Sequence, residues 1–446
     1  MIAQDRPVAG RQWLVLVLVL VALVIDGVDT QLLSLVAPLV MRDLSVDKSA
    51  FGLAMSAALL GMALGAGAGG WIGDRLGRKT VLIGAMLVFG AGTIGVALAR
   101  ELPLLVGLRL ASGLGFGALA PNGAAMVSEW LPTRLRTRAM ALLTITIPMG
   151  GLVGGSAVLM LLPALGWRGC FVLCGGVTLA LGVAILTLLP ESPAYLAARG
   201  RAEQAARLVR RVTGAEPQTA VVPGVVARES VLTRANLRLN LGSWIGFFCL
   251  QLIAYGFISW TPVFLTMAGW PLETAIKGVL VFNLSAVAAS LLTGWLLERF
   301  RFRNLATVAC IGAGLALIVL HALLGATPVV VFAAIGLVSA LVGIGIAGIY
   351  TFAAFAYPPP CRGSGIGITL MAGRAGGIVS AFTGGMLLAV DGSSTLPFFV
   401  TLLCAASLAG LSVWSLGARY AVVLKHSGDT LTADALGPRA KLVPAG

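Results

Sequence analysis

Twelve apolar stretches, each about as long as a membrane-spanning helix, follow one another along this 446-residue chain. A bilayer core about 30 Å thick needs roughly 20 apolar residues per helix. Hydrophobic residues make up 58% of the chain and charged residues only 11%, too few to cover a water-soluble globule of this size. The composition therefore excludes a soluble enzyme, a nucleic-acid-binding protein and a disordered scaffold. It predicts an all-α polytopic membrane protein.

The twelve predicted spans fall into two groups of six on either side of a polar, Arg-rich loop. The first group lies at 13–40, 50–73, 79–99, 102–128, 138–162 and 167–190. The second lies at 240–268, 275–297, 304–324, 327–356, 363–390 and 396–419. The predicted organisation is an N-terminal tail (1–12), a six-helix bundle (13–190), a central loop (191–239), a second bundle (240–420) and a C-terminal tail (421–446). Within the loop, 201–211 has the pattern of a short basic amphipathic helix, which usually lies on the membrane surface.

The charge distribution predicts the orientation of the chain. Most of its 31 Lys and Arg residues lie in the tails, the central loop and alternate short loops. The opposite loops hold only Arg42, Lys48, Arg100, Arg168 and Lys277. Basic loops stay on the cytoplasmic side of a membrane. We therefore expect both termini and the central loop to be cytoplasmic, in the inner membrane of a bacterium, and the net charge of +14 to orient helices rather than to bind nucleic acid.

An internal repeat supports the division into two halves. Gly70-Trp71 with Asp74-Arg75 recurs, 224 residues later, as Gly294-Trp295 with Glu298-Arg299. Parallel six-helix repeats are the architecture of major facilitator transporters. Glycines spaced four apart, as in Gly61-Gly65-Gly69 and Gly113-Gly117, predict close helix packing.

Two motifs carry a family resemblance. The segment 70–79, with Asp74, Arg75, Gly77 and Arg78, resembles the loop signature of the major facilitator superfamily. Arg109-x-x-x-Gly113-x-x-x-Gly117 is similar to the second motif of that superfamily. The resemblance implies twelve transmembrane helices in two six-helix pseudo-repeats that transport by alternating access.

Within that superfamily the chain is similar to the aromatic acid:proton symporters. The similarity rests on Asp26-Gly27-Val28-Asp29-Thr30-Gln31, on Arg362 to Gly365 and on Gly373 to Gly377. It implies import of a small aromatic carboxylate, such as benzoate or a hydroxybenzoate, together with protons. It also implies a transporter that is not an enzyme, has no cofactor besides the coupling proton and binds no metal. The expected partners are the substrate, protons and the lipid bilayer, and the expected state is a monomer.

Two alternatives stay within transport. Pro148-Met149-Gly150-Gly151 resembles an antiporter motif, but Ile147 replaces the glycine before the proline, so a proton-coupled exporter of drugs or metabolites is possible. The residues alone support only a small organic anion, which need not be aromatic. An enzyme or a sensor is disfavoured, because the spans hold no nucleophile–base pair and the central loop is too short for a sizeable soluble domain.

Four charged residues lie deep in predicted spans, where each is expensive to insert: Asp26, Asp29, Arg109 and Arg374. Asp26 and Asp29 are three residues apart on one helix face, and two such close carboxylates disfavour double ionisation. We expect them to couple proton movement to transport. Arg374 lies near the middle of its span, where its guanidinium can grip a carboxylate with two parallel hydrogen bonds. The alternative role for Arg374 is a permanent ion pair with Asp26 or Asp29.

Two further sets of residues are predicted around these charges. An aromatic-acid pocket needs a flat apolar slot and a few polar groups. Its candidates, besides Arg374, are Phe248, Gln251, Tyr255, Asn283, Asn122, Tyr350 and Phe352. The second set is a gate that switches between two states, in part through an ionic cluster at the cytoplasmic ends of the helices that holds the outward-facing state. Its candidates are Asp74, Arg75, Gly77, Arg78, Arg109, Glu129, Arg136 and Arg362.

Overall fold

A computed structural model describes residues 9–214, 230–234, 236–357, 361–390 and 394–416, apart from a few side chains that include that of Arg362. The predicted C-terminal tail, most of the predicted N-terminal tail and part of the central loop lie outside these residues.

The first half contains seven helices and crosses the membrane six times. Its helices are α1 (Gly10–Leu35), α2 (Ala37–Asp43), α3 (Lys48–Leu76), α4 (Arg78–Val96), α5 (Leu102–Trp130), α6 (Thr133–Thr144) and α7 (Thr146–Leu188). At 1.5 Å per residue, the 43 residues of α7 are about 65 Å long, roughly twice a bilayer core. This helix bends at Gly166, whose φ of 63° is a left-handed conformation that suits glycine, so α7 supplies two spans.

The second half follows two short helices of the central loop. These are α8 (Pro193–Ala198) and α9 (Ala202–Thr213). The second half comprises α10 (Leu237–Met267), α11 (Leu272–Arg299), α12 (Phe302–Ala322), α13 (Pro328–Ala356), α14 (Arg362–Ala389) and α15 (Leu396–Ser415). Eleven helices of the described chain are long and apolar enough to cross a membrane, and the bend in α7 makes twelve spans. The prediction of twelve transmembrane helices in an all-α protein is confirmed.

The predicted amphipathic helix of the central loop is present as α9. Its apolar residues Ala205, Val209 and Val212 are buried, whereas Arg210 and Arg211 of its last turn are exposed. The Arg11 side chain of α1 donates a hydrogen bond to the Arg211 backbone oxygen. The helix therefore packs against the start of the first span.

Two predicted spans are interrupted. The first, predicted as continuous over 13–40, breaks at Val36, two residues before Pro38. The fifth, predicted over 138–162, breaks at Ile145, three residues before Pro148. Proline lacks an amide hydrogen and its ring clashes with the carbonyl four residues earlier, so a helix tends to break just before it.

Glycines bring helices into close contact within the first half, as predicted. A Cβ added at Gly65 would lie 2.2 Å from the Leu114 backbone oxygen, and one at Gly117 would lie 2.1 Å from that of Met62. The backbones of α3 and α5 are therefore close enough that any side chain at these positions would clash.

The two halves meet through α3 and α14, α7 and α11, and α1 and α10. A Cβ added at Gly385 of α14 would lie 2.1 Å from the Lys48 backbone oxygen of α3. The Lys48 ammonium donates a hydrogen bond of 3.3 Å to the Leu388 backbone oxygen. The halves are thus closed against each other at this end, which we call the Lys48 side. The opposite end, which carries Asp74 and Glu129, is the Asp74 side.

Candidate transport site

The buried charge of Asp29 is fully satisfied inside the first half. The Arg109 guanidinium lies 2.8 Å from one Asp29 carboxylate oxygen, and the Thr93 hydroxyl donates to the other at 3.0 Å. Arg109 also donates a hydrogen bond to the Asp29 backbone oxygen. The two side chains are only 2% and 6% exposed. The Asp29–Arg109 ion pair and the Thr93 hydroxyl together link α1, α4 and α5. The sequence did not predict a role for Thr93.

Asp26, one turn earlier in α1, lies in a different electrostatic setting. Its side chain is 4% exposed, and its Oδ1 atom has no hydrogen-bond partner among the described residues. The charges within its electrostatic reach are those of Arg374 and Asp29. The two carboxylates that were predicted to act together thus differ, because Arg109 contacts Asp29 directly, whereas no cation among the described residues contacts Asp26.

Arg374 lies on α14, across the boundary between the halves from Asp26. It is half-buried, and no described carboxylate approaches it within 4.0 Å. Tyr255 of α10 is within electrostatic reach of both Arg374 and Asp26. The permanent ion pair considered for Arg374 is therefore absent from the described residues, and its guanidinium is available to a ligand.

Three predicted pocket residues lie on the stretch of α10 that packs against the Arg374 segment of α14. A Cβ added at Gly376 would lie 2.2 Å from the Phe248 backbone oxygen. One added at Gly377 would lie 2.7 Å from the ring of Tyr255. Gln251 packs in the same way against α14, one residue before Arg374. The glycines on either side of Arg374 therefore let the backbone of α14 pack closely against α10, at the Phe248 backbone and at the Gln251 and Tyr255 side chains.

A small cavity lies between the halves. Of the predicted pocket residues, Tyr255 lines it, whereas Arg374, Phe248 and Gln251 are not in its lining. Its volume is about 20 Å³, which is room for about one water molecule. Its polar lining includes Asp29, Arg109, Tyr255 and Ser259, and its apolar wall includes Met55. An aromatic acid does not fit this volume, so binding one requires the halves to separate here.

The structure places the other four pocket candidates elsewhere. The Asn122 amide donates to the Gly69 and Ala118 backbone oxygens and so holds α3 to α5. The Phe352 ring is stacked on Phe302 at 4.4 Å. These side chains already have packing partners and do not line the central cavity.

Asn283 forms a bridge between the halves instead of lining the cavity. It exchanges hydrogen bonds of 3.0 and 2.8 Å with Gln31 of α1. Tyr350 is 41% exposed and is not among the residues that line the cavity.

The predicted ionic cluster on the Asp74 side is present. Arg78 lies 2.5 Å from Asp74 and 3.7 Å from Glu129. Glu129 also accepts a hydrogen bond from Ser192. The Arg75 backbone oxygen accepts hydrogen bonds from the segment after α7, and the Arg75 side chain lies over Trp71. These contacts join the α3–α4 loop and the end of α5 to the start of the central loop. None of them reaches the second half, so they do not themselves hold the two halves together.

Glu191 is a member of this cluster to which the sequence reasoning gave no role. It accepts a hydrogen bond of 3.0 Å from the Lys79 backbone amide. A Cβ added at Gly77 would lie 2.6 Å from the Glu191 carboxylate, and Gly77 has a φ of 102°. The signal for Glu191 was its place in Pro190-Glu191-Ser192-Pro193, a motif shared by many transporters. Arg136 donates to the nearby Leu131 backbone oxygen, and the Arg362 side chain lies outside the described residues.

Two six-helix halves that meet around buried charges, with closure at one end, define a secondary transporter. The family model described as Major Facilitator Superfamily matches residues 19–381. The chain belongs to that superfamily, is not an enzyme, and within the superfamily resembles the aromatic acid:proton symporters.

Curated relatives and a solved structure agree with this assignment. The chain is 32% identical to a gallate transporter of Pseudomonas putida, over 90% of each chain. It is 30% identical to the 4-hydroxybenzoate transporter PcaK of Acinetobacter baylyi, over 91% of each chain. The crystal structure of a D-xylose–proton symporter superposes with a TM-score of 0.71 at 18% identity, covering 90% of this chain and 97% of that one. That structural likeness concerns the fold alone.

Proposed function

We propose that this transporter is a symporter that imports small aromatic carboxylates together with protons. The observation that carries the proposal is the pairing of Asp26 and Arg374 across the boundary between the halves, within electrostatic reach but without a direct ion pair. Two unpaired opposite charges there are expensive unless a proton and an anion occupy them.

Arg374 is the proposed carboxylate site. Its planar guanidinium offers a fork of donors that matches a carboxylate in two parallel hydrogen bonds. Tyr255, within electrostatic reach of Arg374, and Phe248, on the facing stretch of α10, offer flat apolar surface for an aromatic ring. The names of the relatives support the ring, since they transport gallate and 4-hydroxybenzoate.

Asp26 is the proposed proton site. Its carboxylate has a buried oxygen with no hydrogen-bond partner in the described part of the chain, whereas Asp29 is already neutralised by Arg109 at 2.8 Å. When substrate carboxylate binds Arg374, the positive charge that stabilises the ionised form of Asp26 is compensated, and Asp26 then takes up a proton more readily. Substrate and proton therefore bind together, which is the requirement for symport.

Closure of the cavity follows from this charge balance. With a proton on Asp26 and a carboxylate on Arg374, the centre between the halves carries no unpaired charge of its own, and the halves rock around it. We propose that the Lys48 side faces out of the cell, since the loops of the Asp74 side are the more basic. The structure, closed at the Lys48 side, is then a state that is not outward-facing. In this proposal the protein acts as a monomer in the bacterial inner membrane, with both termini cytoplasmic.

Uptake into proteoliposomes tests this proposal. Uptake of radiolabelled benzoate, 4-hydroxybenzoate, gallate and succinate is measured with an inward-directed proton gradient and again after that gradient has been collapsed. We expect accumulation of an aromatic acid in wild type, none in Asp26→Asn, and a sharply raised KM in Arg374→Lys. Asp43→Asn, on the Lys48 side, is the matched acid control.

The same assay distinguishes the alternatives. Accumulation of succinate in preference to the aromatic acids would identify a non-aromatic anion symporter. Movement of solute out of right-side-out vesicles, while protons flow inward down their gradient, would identify an exporter. Accumulation that persists after the gradient is collapsed would exclude proton coupling.

A further inference from the structure

A second, larger cavity lies on the surface of the second half, between α12 and α15. Its volume of about 600 Å³ is within the range of small-ligand sites. We call it the α12–α15 groove, after its walls of Ile311, Leu315 and Ile318 from α12 and Leu403, Leu411 and Trp414 from α15. Ile311, Leu315, Ile318, Leu411 and Trp414 are each at least 50% exposed. Apolar side chains exposed on membrane-spanning helices face lipid, so the groove opens to the bilayer.

The groove is about as long as one leaflet is thick. On α12 its lining runs from Thr307 to Ile318, and on α15 from Leu403 to Trp414. A helical rise of 1.5 Å per residue makes each wall about 16 Å long, about half of a bilayer core of roughly 30 Å. A single acyl chain of one leaflet matches this length.

Two glycines form the floor of the groove. Gly314 of α12 and Gly410 of α15 both line it. A Cβ added at Gly410 would lie 3.5 Å from the Cys310 Cβ atom, at ordinary contact distance. The absence of larger side chains at both positions makes the surface between the two helices concave.

One end of the groove is positively charged. The Arg303 guanidinium lies 4.6 Å from the ring centroid of Trp414, which holds it over this end. Arg301, two residues earlier, is exposed. Among the described ion pairs none involves Arg301 or Arg303, so both cations are open to an anion from the membrane.

An unused donor lies at the same end. The Thr307 hydroxyl, one helical turn from Arg303, is buried and has no hydrogen-bond partner among the described residues. On the neighbouring helix α11, Thr293 instead donates to the carbonyl four residues earlier, at 2.6 Å. A hydroxyl that does not bond its own helix is free to donate to a ligand in the groove.

We propose that the α12–α15 groove binds an anionic membrane phospholipid. The acyl chain lies along the apolar walls, the phosphate pairs with Arg303, and an oxygen of the glycerol ester or phosphate accepts the Thr307 hydroxyl. Trp414 lies at the depth where aromatic side chains mark the interface between hydrocarbon and headgroups. The proposal is independent of the transported substrate, since the groove lies outside the central site.

Native mass spectrometry of the full chain tests this site. The protein is purified in detergent supplemented with equal amounts of phosphatidylglycerol and phosphatidylcholine. The lipid molecules retained per protein molecule are then counted. We expect one phosphatidylglycerol to be retained in preference to phosphatidylcholine. Loss of one interfacial cation predicts about fivefold weaker retention in Arg303→Gln. Arg303→Lys, which keeps the charge, is expected to retain the lipid.

Arg238→Gln is the matched control, because Arg238 is an exposed arginine at the start of α10 on the same side of the protein. Gly410→Leu fills the groove without removing charge and is expected to abolish retention as well. Equal retention of both lipids would overturn the proposal, as would equal losses in Arg238→Gln and Arg303→Gln. Release of the lipid by inorganic phosphate alone would show that the site binds a free anion instead.

Discussion

Gln31 and Asn283 exchange two side-chain hydrogen bonds, of 3.0 and 2.8 Å, across the boundary between the two halves. Both residues are buried, at 0% and 1% exposed. A Cβ added at Gly151 of α7 would lie 2.2 Å from the Gln31 amide nitrogen, so a side chain at this position would push the bridge aside. The bridge forms only while α1 and α11 are close, and it therefore stabilises the state that is closed on the Lys48 side.

The first prediction concerns this bridge. Interhelical hydrogen bonds in membranes contribute about 0.6 kcal/mol on average and up to about 1.7 kcal/mol, so Gln31→Ala should shift the equilibrium toward opening at the Lys48 side by several-fold. Asn283→Ala should do the same, and the double variant should shift no further than either single one. Spin-label distances between α3 and α14 on the Lys48 side measure the shift. Additive shifts in the double variant would show that the two residues act separately.

The second prediction concerns the ion pair of Asp29 and Arg109. Removing one partner of a buried pair leaves an uncompensated charge and costs about 3–5 kcal/mol. Arg109→Gln and Asp29→Asn should therefore each lower the melting temperature markedly in detergent. The double variant should recover most of that loss, because neither charge remains. A double variant less stable than both single ones would rule out charge compensation as the reason for the pair.

The third prediction separates Asp26 from Asp29. Asp26→Asn cannot bind or release a proton, so accumulation driven by a proton gradient should be lost. Exchange of substrate across the membrane, which needs no net proton movement, should persist and become independent of pH between about 5 and 8. Counterflow of labelled substrate at a series of pH values is the measurement. Loss of exchange as well would assign Asp26 to substrate binding instead.

How much the sequence predicted depends on how far apart the interacting residues are along the chain. Twelve spans were predictable because the length of an apolar run fixes whether it crosses a bilayer. The breaks at Val36 and Ile145 were missed because both runs stay apolar through the interruption, and only Pro38 and Pro148 mark it. A hydropathy profile therefore does not show where one helix ends and a proline starts the next.

The same limit applies to the site: its charged residues could be predicted from the sequence, but the contacts between them could not. The intramembrane charges were predictable from their cost alone. Their pairing was not, since Asp29 meets Thr93 and Arg109, which lie 64 and 80 residues away. Asn283 was predicted to be one of the few polar groups of the pocket, but its partner, Gln31, depends on how the halves pack.

The fourth prediction concerns Gly77 in the ionic cluster. Gly77→Ala forces a Cβ into a left-handed backbone and to 2.6 Å from the Glu191 carboxylate. Strain of this kind costs about 1–3 kcal/mol, so this variant should have a lower melting temperature and slower transport. Gly70→Ala is the control, because a Cβ there meets nothing within 4 Å. Equal effects of the two substitutions would exclude the contact with Glu191 as the cause.

The fifth prediction concerns Ser259, which lines the central cavity beside Tyr255 and is 6% exposed. The Ser259 hydroxyl has no hydrogen-bond partner within 3.5 Å among the described residues. It is therefore available to a hydroxyl group on the substrate ring. Under the proposed function, Ser259→Ala should lower kcat/KM about fivefold for 4-hydroxybenzoate, the value of one net hydrogen bond, and leave benzoate nearly unchanged. Uptake of the two acids by the same proteoliposomes gives the ratio directly. A hydroxyl that binds the ring changes this ratio, whereas one that only packs α10 lowers uptake of both acids together, and that second outcome would exclude Ser259 from substrate selection.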